Sequence, residues 1–105
     1  AAGQWVMLDY YADWCVSCQE MERYTFGDPE VQAALSGMLL LQADVTANSD
    51  DDQQLLKKFG LFGPPATLFF SPDRGERPNM RIIGYMEKEP FLQHLARLPS
   101  CVLEC

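Results

Sequence analysis

Positive charge is scarce in this chain. Of 105 residues, eight are lysine or arginine against fifteen aspartates and glutamates, a formal net charge of −7. A surface of that sign repels nucleic acid and anionic lipid headgroups alike. Histidine is nearly absent: His94 is the only one, and it is read as a surface residue opposite its helix's apolar stripe, with no part in chemistry. No apolar run approaches the roughly 18 residues needed to span a bilayer, so a water-exposed domain is expected. Internal repeats and low-complexity segments are missing. The acidic stretch Asp50-Asp51-Asp52 lacks the glycine and spaced ligands of a calcium loop. There is room for one domain and one core, and a hydrophobic content of 48% is that of a folded chain.

What is present is concentrated in residues 9–22. An apolar run from Trp5 to Tyr11 leads into Trp14, Cys15, Val16, Ser17 and Cys18, and then into a helix-like stretch. Two cysteines three apart cannot bridge in an extended strand, but on the first turn of a helix they share a face and can. That turn also leaves N–H groups unpaired and carries about half a positive charge, which stabilises a thiolate at Cys15. Cys15 is therefore the expected nucleophile. Cys18, one turn deeper, is the expected resolving thiol that attacks Cys15 in a mixed disulfide. A static disulfide and half a zinc site are the competing readings, disfavoured by the strand before and the helix after. Four cysteines in all fit an oxidising compartment without requiring one.

Residues 5–11 have the pattern of a central strand buried on both faces, interrupted by Asp9. An unpaired carboxylate there is costly, so burial should raise the Asp9 pKa; the alternative is a strand-end residue facing water. A helix is expected over residues 15–26, broken at Gly27. Asp28 as N-cap, Pro29 at the first helical position and Glu30 announce another, with Val31, Ala34, Leu35 and Met38 as its core stripe. Glu22, four residues after Cys18 and one turn on, is either a solvated carboxylate or a second acid beside the thiols. Residues 39–45 predict a second buried strand, parallel to the first. Ser49, three aspartates, Lys57-Lys58 and Gly60 describe a helix matched to its dipole, so those acids read as capping. Pro64-Pro65 precedes the apolar run 66–70, residues 71–75 form a turn, and residues 80–85 predict the edge strand of a hairpin. Glu87 to Pro90 open a last helix whose Phe91, Leu92, Leu95 and Leu98 face the core. Trp14, Tyr11 and Phe62 suggest an aromatic rim for a transient protein partner, with Tyr10 in the core.

A strand, Trp14-Cys15-x-x-Cys18, a helix and a later Pro65 before an apolar strand resemble the thioredoxin-fold oxidoreductases over nearly the whole chain. More narrowly, Tyr11-Ala12-Asp13-Trp14-Cys15-Val16-Ser17-Cys18, Glu20-Met21-Glu22, Tyr24-Thr25-Phe26 and Asp28-Pro29-Glu30-Val31 resemble the C-terminal periplasmic domains of the DsbD family, bacterial transmembrane thiol:disulfide interchange proteins. The resemblance implies an α/β fold with a central mixed β-sheet flanked by helices, the leading strand and helix shortened or missing. It implies that Asp9 is a proton relay, acting as general base toward Cys18, and that Glu22 is a second acid tuning the thiols. It also implies a cis Pro64–Pro65 bond with Pro65 against the sulfurs, and substrate binding by Trp14, Phe62, Pro64 and Pro65. There is one departure: the family pairs a partner's backbone with both the N–H and C=O of the residue before the cis proline, and Pro64 has no N–H. The implied role is a monomeric periplasmic reductant, tethered to the inner membrane through the rest of its protein and serving cytochrome c biogenesis. It would take electrons from a membrane-embedded dithiol and pass them to an N-terminal acceptor domain or another periplasmic protein. No cofactor beyond the Cys15/Cys18 couple, and no metal, is implied.

Anionic Asp9 and Glu22 oppose a thiolate that the helix end favours, and the two effects are comparable in size. Gln19 stands where many thioredoxins carry a lysine; the missing cation tilts the expectation toward a reductant. A free-standing thioredoxin, a cytochrome-maturation reductase of the same fold and a zinc-stabilised binding module are the rival readings. Cys101 and Cys105 close the chain after Pro99, and residues 99–105 read as an incidental tail. The short lead before the first strand suggests a single domain, residues 1–105, cut from a longer membrane protein.

Overall fold

The computed structural model describes residues 4–72 and 75–98; the expectation for Cys101 and Cys105 lies outside the described residues. Strand β1 (Val6–Tyr11) runs through the middle of the sheet. On one side it pairs in parallel with β2 (Leu39–Asp44), on the other antiparallel with β3 (Ala66–Ser71). Strand β3 in turn pairs antiparallel with β4 (Gly75–Glu76) and β5 (Ile82–Ile83), giving the mixed sheet expected. A parallel neighbour requires a crossover, supplied here by α1 (Val16–Glu20), a π-helical turn over Met21–Phe26 and α2 (Pro29–Ala34). Helix α3 (Asp50–Lys58) joins β2 to β3, and α4 (Lys88–Ala96) follows β5.

Local chemistry sets the helix ends. Asp28 accepts the Glu30 N–H at 2.8 Å with Pro29 first in α2. Ser49 and Asp52 accept each other's backbone N–H at 3.1 Å, a capping box that gives the acidic run a structural role. Gly60, with φ +70°, takes the left-handed conformation that stops α3. The alternation of β1 divides the core in two. Met7 packs with Met21, Val31, Leu35, Phe69 and Phe91; Tyr10 and Ala12 pack with Cys15, Cys18, Val45, Leu56 and Leu68.

Four expectations need correction. Strand β2 is parallel to β1 but not buried: it forms the sheet edge, with Leu40 50% exposed and Leu39 and Leu41 also open. An apolar run looks the same in sequence whether or not another strand flanks it. His94 is half-buried rather than on the surface, because it follows Phe91 by three residues and so shares its inward side; its ring lies 5.7 Å from that of Phe69, and Nε2 is 2.6 Å from the Met80 carbonyl. The hairpin strand expected over residues 80–85 shrinks to Ile82–Ile83. Met80 belongs to a 3₁₀ turn (Pro78–Met80), where Pro78 has no N–H for a ladder, and β4 takes up the pairing to the end of β3. Ala34, counted in the core stripe of α2, is exposed because that helix ends there.

Candidate active site

Cys15 is the N-cap of α1: its backbone is extended, and its sulfur accepts the Cys18 N–H at 3.1 Å. The two cysteines are joined as a disulfide with Cα atoms 5.2 Å apart, as their shared helical turn allows. Cys15 is 8% exposed and Cys18 2%, so Cys15 is the sulfur that a visiting group can reach. Exposed Trp14, at 58%, and Val16 flank it. Behind it, Cys18 Sγ lies 3.9 Å from the Tyr10 carbonyl oxygen.

The loop ahead of Cys15 is held by a residue whose role the sequence does not reveal. Thr46 Oγ1 accepts the Asp13 N–H at 2.9 Å, and the Thr46 carbonyl accepts the Trp14 indole N–H at 2.9 Å. Thr46 is itself anchored by its N–H and hydroxyl on the Asp44 carboxylate, while the Gln19 amide donates to the Asp13 carbonyl. Trp14 is therefore fixed as an exposed wall beside the reactive sulfur.

Asp9 is buried in β1, not at a strand end facing water. Burial pushes its pKa up from 3.8 to about 7; the Gln42 amide hydrogen-bonded to it pulls the other way, and the charge of Glu22 adds to the rise. Asp9 and Gln42 are register partners across β1 and β2. Gln42 Nε2 donates to Glu22 Oε1 at 2.6 Å. The structure thus brings the two predicted acids together through a residue that sequence reasoning missed. The only local signal was a lone polar side chain in Leu39-Leu40-Leu41-Gln42-Ala43, and the strand register was needed to give it meaning. The π-turn carrying Glu22 is tied to the loop before α4, since Thr25 donates to the Met86 carbonyl at 2.6 Å and Met21 Sδ accepts the Met86 N–H at 3.4 Å.

The Pro64–Pro65 bond is cis, as the resemblance implies. Ala66, the next residue, pairs with Tyr10, which places this proline at the end of the sheet where β1 delivers the chain to Cys15. The Pro65 carbonyl accepts the Gly84 N–H at 3.0 Å, and Phe62 on the same loop is fully exposed. Among the described residues there is no cluster of three histidine, cysteine or acidic side chains placed to hold a metal.

A thioredoxin-like family model matches residues 1–72. The C-terminal domain of Neisseria meningitidis DsbD, in its reduced form, matches with a TM-score of 0.77 at 39% identity, covering 90% of this chain and 80% of that one. The chain belongs to the thioredoxin-like family as a DsbD C-terminal domain. The oxidised form of the same Neisseria domain gives a TM-score of 0.74 at 40% identity, covering 86% and 76% of the two chains. In sequence, the chain is similar to DsbD of Ralstonia nicotianae, 58% identical over 97 residues, and of Escherichia coli, 53% identical over 95. These alignments cover 92% and 90% of this chain but 16% and 17% of those proteins, so the chain spans about one-sixth of the length of the curated relatives it matches. A thioredoxin from Thermus thermophilus, TM-score 0.77 at 24% identity and covering 90% and 73% of the two chains, shares the fold alone. No helix of this DsbD C-terminal domain, among the described residues, is long and apolar enough to cross a membrane.

Proposed function

We propose that this domain is a periplasmic electron relay within a longer thiol:disulfide interchange protein. It takes an electron pair from a membrane-embedded dithiol and hands it to the disulfide of an acceptor domain of the same protein or of a separate periplasmic protein. The observation that carries the chemistry is the Cys15–Cys18 couple at the N-terminus of α1, where one sulfur is reachable and the other is shielded.

In the reduced domain the Cys15 thiolate attacks one sulfur of the partner disulfide, and the partner's other sulfur leaves as a thiolate. Asp9 takes the proton of Cys18, and the Cys18 thiolate attacks Cys15 Sγ. The partner leaves as a dithiol once protonated, and the Cys15–Cys18 disulfide remains. Two electrons and two protons have moved, and because the electron pair passes from sulfur to sulfur, no metal or organic cofactor is required. Relatives six times longer than the aligned segment support a donor and an acceptor elsewhere in the same polypeptide. Because Pro64 cannot donate a backbone N–H, the partner is gripped by Trp14, Phe62 and Pro65 more than by strand pairing. The absence of a cation at Gln19 supports a reducing couple.

The test is a Cys18→Ala variant, reduced and mixed with an oxidised acceptor domain from a DsbD relative. A covalent adduct through Cys15 that dithiothreitol releases is expected, together with a Cys15/Cys18 potential on the reducing side of a glutathione buffer. Disulfide reductase activity surviving in Cys15→Ala overturns the mechanism, and a strongly oxidising potential reverses the direction.

A further inference from the structure

We propose that Gln42 is a positioning residue of this redox centre: its carboxamide, seated between the buried Asp9 and the exposed Glu22, joins the two carboxyl groups into one unit and governs when Asp9 holds its proton. The inference rests on the reading of Asp9 as the base that serves Cys18.

The geometry is specific. Gln42 stands directly opposite Asp9 in the parallel β1–β2 register, and side chains of register partners project to the same face. From there its Nε2 reaches Glu22 Oε1 at 2.6 Å, across from the strand to the helical segment that follows Cys18. The amide nitrogen faces Glu22, and its second hydrogen remains to donate to Asp9. An amide does not titrate in this range. It supports the Asp9 anion without adding a charge, where a lysine would pin Asp9 ionised and a leucine would leave it to the full effect of burial.

Among the described residues no other group competes for that position. The other register partner of Asp9 is Thr67 on β3, which is uncharged. Helix α2 and the turn that follows it present Gln32, Leu35 and Ser36 to the cavity that Asp9 lines, none of them charged. Cys18 of α1 packs with Tyr10 and Ala12 and is closed in the disulfide. Among the described residues, Glu22 is the charged group whose field raises Asp9, and Gln42 is the group bound to both. The cavity, about 480 Å³ and lined by Asp9 and Gln42 together with Leu40 and Leu41 of the exposed edge strand, gives solvent a way to exchange the Asp9 proton.

The experiment uses the whole 105-residue chain with Gln42→Met, which keeps the side-chain length and removes the donor on an exposed edge strand. Gln42→Leu is a second variant, and near-ultraviolet circular dichroism checks the fold. The Asp9 carboxyl carbon is titrated by NMR in the oxidised domain. In parallel, release of glutathione from a Cys15–glutathione mixed disulfide by Cys18 is followed against pH. In both variants the Asp9 midpoint should rise by about one pH unit, the size expected when a charged acceptor loses a donor. The release profile should move with it, and Asp9→Asn combined with Gln42→Met should behave as Asp9→Asn alone. An unchanged Asp9 midpoint in Gln42→Met and Gln42→Leu overturns the role of Gln42 while leaving Asp9 as the relay. A release profile in Asp9→Asn identical to that of the unsubstituted domain overturns the relay, and the role of Gln42 with it.

Discussion

The oxidised domain should lose stability as the pH rises from about 4 to about 7, and Asp9 is the reason. Its carboxyl is raised from 3.8 to about 7, chiefly by burial, so between these values the folded state keeps a proton that the unfolded chain has released. Such a group contributes its full stabilisation below the unfolded pKa, and the contribution is lost as pH climbs through the folded one. A shift of about three pH units at 1.36 kcal/mol each amounts to roughly 4 kcal/mol over the whole window. About 2.3 kcal/mol of that falls between pH 5 and pH 7, because the folded carboxyl is already half ionised at the upper limit.

Asparagine has nearly the same shape and never ionises. Urea denaturation of the disulfide-closed domain and of Asp9→Asn, each at pH 5 and pH 8, isolates this contribution, because every other titrating group is common to both proteins. Closing the disulfide keeps Cys15 and Cys18 from titrating. The stability of Asp9→Asn relative to the unsubstituted domain should improve by about 2 to 3 kcal/mol between pH 5 and pH 8. A difference that does not change with pH would refute the burial of an ionisable carboxyl at this position.

Two further substitutions test the π-turn that carries Glu22. A Cβ at Gly27 would sit 2.7 Å from the Arg23 carbonyl oxygen and 2.9 Å from that of Glu22. Both contacts are backbone and φ at Gly27 is an ordinary −78°, so the cost of Gly27→Ala is steric, on the order of 2 kcal/mol; an unchanged Tm would show that the turn relaxes freely. Thr25→Val keeps the shape but deletes the hydroxyl that donates to the Met86 carbonyl at 2.6 Å. Leaving that acceptor unpaired should cost about 1 to 3 kcal/mol in urea denaturation, and no loss would mean that the bond contributes nothing net.

Features that depend on neighbours in the chain were legible from sequence. Asp28 before Pro29, Ser49 three residues before Asp52, and Gly60 after Lys58 each declare a helix end within one turn, and each stands where expected. The Cys15–Cys18 pair declares itself the same way, by spacing and by the strand that precedes it. What was missed depends on partners distant in the chain. Three consecutive leucines in β2 look buried until the sheet order shows that nothing among the described residues flanks them. His94 looks solvent-facing until the Pro78–Met80 turn supplies a carbonyl 2.6 Å away. Gln42 carries no meaning without the register that sets it opposite Asp9. The π-turn leaves no trace in composition except Gly27, and its necessity is a contact with the carbonyls of Glu22 and Arg23.

A pKa near 7 suits Asp9 to both halves of the proposed exchange. Attack by Cys15 needs a thiolate, which a permanently ionised carboxylate nearby would oppose. Resolution by Cys18 needs a base, which a permanently protonated carboxyl could not supply. An ordinary aspartate fails the first requirement and a fully desolvated, unassisted one fails the second. At about 7 both forms of Asp9 are populated at neutral pH. Burial and the Glu22 charge push Asp9 upward while Gln42 draws it down. In the proposed exchange, the balance among these three, set by one helical segment and one edge strand, sets the pH at which the domain would both open a partner's disulfide and let the product go.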